Sequence, residues 1–310
     1  MSTATPLAMD RPAAPVRSAQ TRAPRWRLRV SADSAARIEL VVQNLVRLHG
    51  IEPARCQRYV DPATGWHHSR HELDAARATV TTLELRRSLV PIAARARAQA
   101  HVAAAHEPQR IAVLVSKADH CLRELFAQQS EGLVPVEIAC VISNHEDLGP
   151  LALAHGVPFH HVPMPPAPDH SARTAAFDRV FELFGGHQAE VMVLARFMQI
   201  LPAAFCTRAA GRILNVHHSL LPAFTGARPY HQAWRQGVKW IGATCHYVTA
   251  ELDQGPIIAQ EARRVDHTHS IDDLIRAGRN LECRVLEAGL RAHVEGRVIV
   301  CGQRTVVFDA

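Results

Sequence analysis

The sequence predicts an α/β protein, a doubly wound and mostly parallel sheet preceded by a small α+β unit. From Ile111 onward, short apolar runs alternate with helical patterns, as expected of parallel strands joined by crossover helices. Composition shifts at Pro108, after a stretch rich in Ala and Arg. At 310 residues and 47% hydrophobic, the chain can bury more than one core.

In the first unit, Trp26 to Val30 alternates like a strand. Ile38, Val41, Val42, Leu45 and Leu48 fall at helical spacing over Ala35 to His49, and Gly50 is a fitting stop. Asp61-Pro-Ala-Thr-Gly65 reads as a turn between two further strands. From Val80 to about His106 we expect a helix broken near Pro91 and then a helical linker. The expected division is a disordered tail over 1–25, a domain over 26–85, a linker over 86–108 and a second domain over 109–310. The tail is rich in Arg with Asp10 its only acid, and lacks the apolar core of a secretory signal.

In the second domain, strands are expected at Ile111–Ser116, Val136–Ile142, Phe159–Val162, Val191–Ala195 and Ile213–Val216. Helices are expected around Cys121–Phe126, Leu148–His155 and Ala172–Phe184. Ile241–Val248 and Pro256–Glu261 extend the sheet, and Ile271–His293 closes the domain as a long helix.

Composition narrows the partners. A net charge of +6 and a pI near 9.2 favour an anionic partner. The basic residues are dispersed and aromatics are only 5%, which disfavours nucleic acid. No apolar run reaches the ~18–20 residues of a membrane span. Seven widely spaced cysteines without a C-x-x-C pair read as reduced cytoplasmic thiols rather than disulfides or a zinc site.

The chemistry concentrates in Asn215-Val-His-His-Ser219 and in the later acid Asp253. Ile213 and Leu214 lead in as a buried strand, so Asn215, His217 and Ser219 at spacing two point to one face. Leu-Leu-Pro then ends the strand, and strand ends are where open α/β sheets keep their sites. An amide can donate to a developing oxyanion, an imidazole can move protons, and a carboxylate can orient either the imidazole or a water. The first strand–helix junction, Ser116-Lys-Ala-Asp-His-Cys121, holds no glycine, so no phosphate cradle is visible.

Long runs carry a resemblance. Among them are Leu114-Val-Ser-Lys117, Pro158-Phe-His-His161, Met198-Gln-Ile-Leu201, Leu221-Pro-Ala-Phe224, Arg228-Pro-Tyr-His-Gln232 and Leu252-Asp-Gln-Gly-Pro-Ile-Ile258. From about Arg110 to Phe308 the chain resembles the formyltetrahydrofolate deformylases, of the formyltransferase fold. The first unit resembles an ACT-like domain, though Asp33-Ser-Ala-Ala-Arg37 lacks the glycine of amino-acid-binding ACT turns. That departure favours a structural or dimerising role, and a homo-oligomer is expected.

The resemblance implies Asn215, His217 and Asp253 as the catalytic trio. It also implies folate contacts, chiefly through backbone groups, from Arg196, Phe197, Met198, Gln199, Ile200 and Leu201, and from Val248, Thr249 and Leu252. The implied reaction is hydrolysis of 10-formyltetrahydrofolate to tetrahydrofolate and formate, supplying formate to purine synthesis. It needs no metal or other cofactor. Transfer to glycinamide ribonucleotide is the alternative within the fold, and the glycine-free junction disfavours it. A tRNA-directed formyltransferase would carry a further C-terminal domain, and the chain is not expected to have room for one. A catalytically silent folate-binding regulator is the non-enzyme alternative.

Overall fold

The computed structural model describes residues 26–74, 80–166, 169–223 and 229–310. The expected tail therefore lies outside the described residues, as do Phe224 and Arg228 of the quoted runs.

The first layer is built from β1 (Trp26–Ala32), α1 (Ala35–His49), β2 (Glu52–Val60), β3 (His67–Asp74), α2 (Thr82–Ala96) and β4 (Gln99–Ala104). Its antiparallel sheet has the order β2-β3-β1-β4, the split βαβ arrangement of ferredoxin-like folds. Two expectations are corrected here. Residues 86–108 are not a linker, because α2 and β4 complete this domain and β4 pairs with β1 along Trp26–Ser31. Nor does Pro91 break α2. A Thr81–Glu84 capping box starts the helix, and Leu85, Leu89, Ala93 and Ala96 bury against the sheet. Packing along the whole face outweighs the ~3 kcal/mol that an interior proline costs.

The second domain continues with β5 (Gln109–Val115), α3 (His120–Ser130), β6 (Val136–Ser143), α4 (Gly149–Ala154) and β7 (Phe159–His161). Then come α5 (His170–Gly186), β8 (Val191–Leu194), α6 (Ala203–Arg208), β9 (Ile213–His217) and α7 (Pro229–Gln236). β10 (Trp240–Tyr247), β11 (Ile257–Arg264), α8 (Ile271–Val294), β12 (Val298–Cys301) and β13 (Arg304–Val307) finish the chain.

The large sheet has the order β11-β10-β9-β8-β5-β6-β7. It is parallel from β9 to β7, with β10 and β11 antiparallel at one edge. Along β5, Ile111, Val113 and Val115 pack towards α3 and α8, while Ala112 and Leu114 pack towards α5 and α6. Burial on both faces explains why this strand reads as a continuous apolar run. The order reverses between β5 and β8, and the C-terminal side of the sheet around that switch point is the natural place for a site.

The two domains meet at the C-terminus of α8. Arg29 Nη1 donates to the Val298 carbonyl at 2.5 Å, and Arg27 and Arg70 reach the carbonyls of Val294 and Glu295 at 3.4 Å. Cationic groups at a helix C-terminus satisfy its free carbonyls and oppose its dipole. No helix among the described residues is long and apolar enough to cross a membrane.

Candidate active site

A cavity of about 290 Å³ opens at the C-terminal ends of β8 and β9. Its walls are residues 196–201, which follow β8, and residues 248–253, which follow β10. Its floor holds Asn215, His217, His218 and His246. Every catalytic and folate-contact residue implied by the resemblance lines this one cavity, including Phe197, Gln199 and Thr249. Met198, Ile200 and Leu252 are exposed apolar side chains of those two loops. Apolar surface left open there suits the flat rings of a ligand.

Asn215 and His217 lie on the same face of β9, two residues apart, and are held by pairing with His246 and Thr244 of β10. His217 Nδ1 stands 3.3 Å from Asp253 Oδ1, an ion-pair distance. His217 Nε2 is buried with no hydrogen-bond partner among the described residues. Burial acts to raise the Asp253 carboxyl, but the hydrogen bond and charge of the adjacent His217 lead the opposing effects, which together outweigh it. The carboxyl therefore titrates below the ordinary carboxylate value. Asp253 sits at φ 56°, in the left-handed region that Asp tolerates better than most residues.

The reading of Ser219 as a third group on this face is corrected. β9 ends at His217, and Ser219 Oγ donates to the Ala223 carbonyl at 2.6 Å, inside the following turn. Strand periodicity has no force once the chain turns.

The sequence reading missed His246. Its Nδ1 lies 2.9 Å from the Tyr247 carbonyl oxygen, so Nδ1 carries the proton and donates. That leaves Nε2 as the acceptor for Asn215 Nδ2, 3.1 Å away. Burial pushes the His246 pKa down, which keeps the ring in this neutral form. A histidine within an antiparallel strand carries no sequence signal of such a role.

A buried polar wall stands behind the trio and was also missed. Glu282 of α8, 1% exposed, accepts from Tyr230 Oη and pairs with His120 Nε2, each at 2.7 Å. Arg196 Nε lies 3.5 Å from the same carboxylate. Burial acts to raise the Glu282 carboxyl, but His120 and the charge of Arg196 hold it below its ordinary value. His218 packs edge-on between His217 and Tyr230, and burial, aided by the Arg196 charge, lowers it to about 3. His120, Cys121 and Glu282 bring their ligand atoms within 4.8 Å of one another, a spacing that could hold a metal ion. Both Glu282 oxygens are nevertheless already engaged by protein groups.

The chain matches the formyl transferase family over residues 109–290. It is 46% identical over 199 residues to the formyltetrahydrofolate deformylase of Corynebacterium sp., covering 64% of this chain and 68% of that one. It is 38% identical over 284 residues to the formyltetrahydrofolate deformylase of Bacillus subtilis, covering 91% and 93%. The crystal structure of a formyltetrahydrofolate deformylase from Pseudomonas syringae superposes with a TM-score of 0.87 at 41% identity, over 94% of this chain and 96% of that one. With the fold matched over nearly the whole chain and a family match spanning the trio, the chain belongs to the formyl transferase family and, within it, to the formyltetrahydrofolate deformylases.

Proposed function

We propose that the protein hydrolyses 10-formyltetrahydrofolate to tetrahydrofolate and formate, with Asn215, His217 and Asp253 as its catalytic residues. The observation that carries this reading is the meeting of an amide donor, an imidazole and a carboxylate on the floor of one cavity, between two loops that offer apolar surface. The pterin lies between residues 196–201 and 248–253, and the formyl group reaches the floor.

Asn215 has a second amide N–H beyond the one given to His246. It donates to the formyl oxygen as that oxygen becomes negative. Asp253 orients the attacking water and the His217 ring. His217 Nε2, which has no protein partner among the described residues, takes a proton from the water and returns one to the departing N10. The oxygen of water joins the formyl carbon, the C–N10 bond breaks with its electron pair on nitrogen, and the carboxylic acid loses a proton to become formate.

These steps are water addition and proton transfer, so the reading calls for no cofactor. Formate released this way enters one-carbon metabolism and purine synthesis. The seven free thiols suit a reducing cytoplasm. A folate is the small-molecule partner, nucleic acid and membrane play no part, and the protein assembles as a homo-oligomer.

The test is to incubate the protein with 10-formyltetrahydrofolate, without an amine acceptor, and follow formate. Release that vanishes in Asp253→Ala is the expected result. Silence until glycinamide ribonucleotide is added would replace hydrolysis by transfer.

A further inference from the structure

Arg196 has a side chain that the mechanism above leaves without a task. It stands just beyond β8 at φ 66°, a conformation that favours glycine over a residue with a Cβ. Its Nε is enclosed without a hydrogen bond and faces Glu282 at 3.5 Å. Glu282 is itself immobilised by Tyr230 and His120. One edge of the guanidinium thereby faces a buried carboxylate at ion-pair distance. The terminal nitrogens Nη1 and Nη2 make no hydrogen bond among the described residues, although Arg196 lines the cavity. The side chain is 18% exposed, and the enclosed Nε contributes none of that exposure.

A planar guanidinium held along its Nε edge presents its other edge as a fork, matched to the two oxygens of a carboxylate. We propose that the Arg196 fork is a carboxylate seat beside the catalytic residues and that its ligand is the product formate. This inference rests on the deformylase reading of the same cavity.

Position separates formate from the other carboxylates of a folate. Met198, Ile200 and Leu252 form the exposed rim of the two loops, the way out for the glutamate tail of a folate bound as proposed. Arg196 instead lies inwards, next to His218, whose ring feels the charges of both Arg196 and Asp253. The new carboxylate forms in that space when C–N10 breaks. Two native carboxylates could compete for the fork, Glu282 behind Arg196 and Asp253 elsewhere in the lining of the same cavity. Each is matched by its own partners, His120 and Tyr230 for the first and His217 for the second. The fork is left for the product.

The experiment titrates sodium formate, with sodium chloride as the ionic-strength control, into the wild-type protein and Arg196→Lys. ¹³C-formate line broadening reports binding without turnover, and product inhibition is measured in parallel. Arg196→Lys keeps the charge opposite Glu282 but removes the fork. Arg196→Met/Glu282→Gln removes the charge pair together and covers the case in which the lysine variant does not fold. The expected result is formate binding weakened at least ~10-fold in the folded variants, as for loss of a charge-assisted bidentate pair. The KM for 10-formyltetrahydrofolate should change far less. Formate binding that is equal in wild type and variants overturns the proposal, as does wild-type protein that turns over but binds no formate. A variant that raises KM for the folate and leaves formate inhibition intact also overturns it, reassigning Arg196 to the substrate. Arg196-dependent formate binding in a protein that never hydrolyses 10-formyltetrahydrofolate would sustain the seat and sink the deformylase reading.

Discussion

Asn215 has two amide N–H groups, and the fold commits one of them to His246 Nε2. That bond fixes which end of the amide is nitrogen and directs the remaining N–H at the cavity. Loss of one such donor to an oxyanion typically costs ~10²–10³ in turnover, so Asn215→Ala should lower kcat by about that factor. His217→Ala and Asp253→Ala should fall at least as far. Steady-state formate release measures all three, and near-normal turnover in any of them would remove that residue from the mechanism. These three residues were legible in the sequence because their types interlock chemically and the long matching runs frame them. His246 and Glu282 were not. A histidine in a strand and a glutamate in a long amphipathic helix look like ordinary surface choices until the fold shows both as buried.

Among the elements, the β10–β11 connection bears most directly on function because it carries Asp253. Gly255 lets this segment lie against β10, since a Cβ there would stand 1.7 Å from the Tyr247 carbonyl oxygen. Gly255→Ala must therefore move backbone, two residues from Asp253, the proposed catalytic acid. We expect a loss of ~1–3 kcal/mol, as for overpacked sites, together with a fall in kcat. Gly185→Ala is the control. It lies in α5 with open space around its Cβ position, so stability should hold or rise slightly. Paired urea melts and kcat values check this. Equal stability of the two variants would show that the segment has room to spare. The need for glycine at 255 is visible only in three dimensions, because the carbonyl it avoids belongs to a residue eight positions earlier that the chain has turned back to meet.

The whole molecule should lose stability in mild acid, through histidines that its different parts bury. Burial lowers His71 of the first sheet to about 4, His218 of the active site to about 3, and His293 near the end of α8 to about 4. Unfolded, each titrates near ~6.5. Between that value and about 4 the unfolded chain binds protons that the folded chain refuses, so stability falls as pH falls through this window. The depressed carboxyls of Asp253 and Glu282 act in the same direction. Their contribution is present above the ordinary carboxylate value and is lost only below it, as pH drops through their folded values. Thermal melts from pH 7 to 4 should show a Tm that declines steadily below ~6.5. A flat Tm down to pH 4.5 would contradict the burial of these rings.

By itself the sequence determined the alternation of strands and helices, the long closing helix, the trio and the two loops that flank it. The elements rest on local periodicity, whereas the trio and its loops, as a candidate site, rest on the resemblance carried by the long matching runs. Where one domain stops was decided by tertiary structure. β4 is a modest strand on its own pattern, and only its pairing with β1 and the packing of α2 across Pro91 assign residues 82–104 to the first sheet. The Arg196–Glu282–His120–Tyr230 wall was likewise decided in three dimensions. It joins residues from the end of β8, from α8, from the start of α3 and from α7, and burial turns their attraction into a fixed arrangement. Side chains drawn from distant parts of the chain acquire a joint role only when folding removes the water between them.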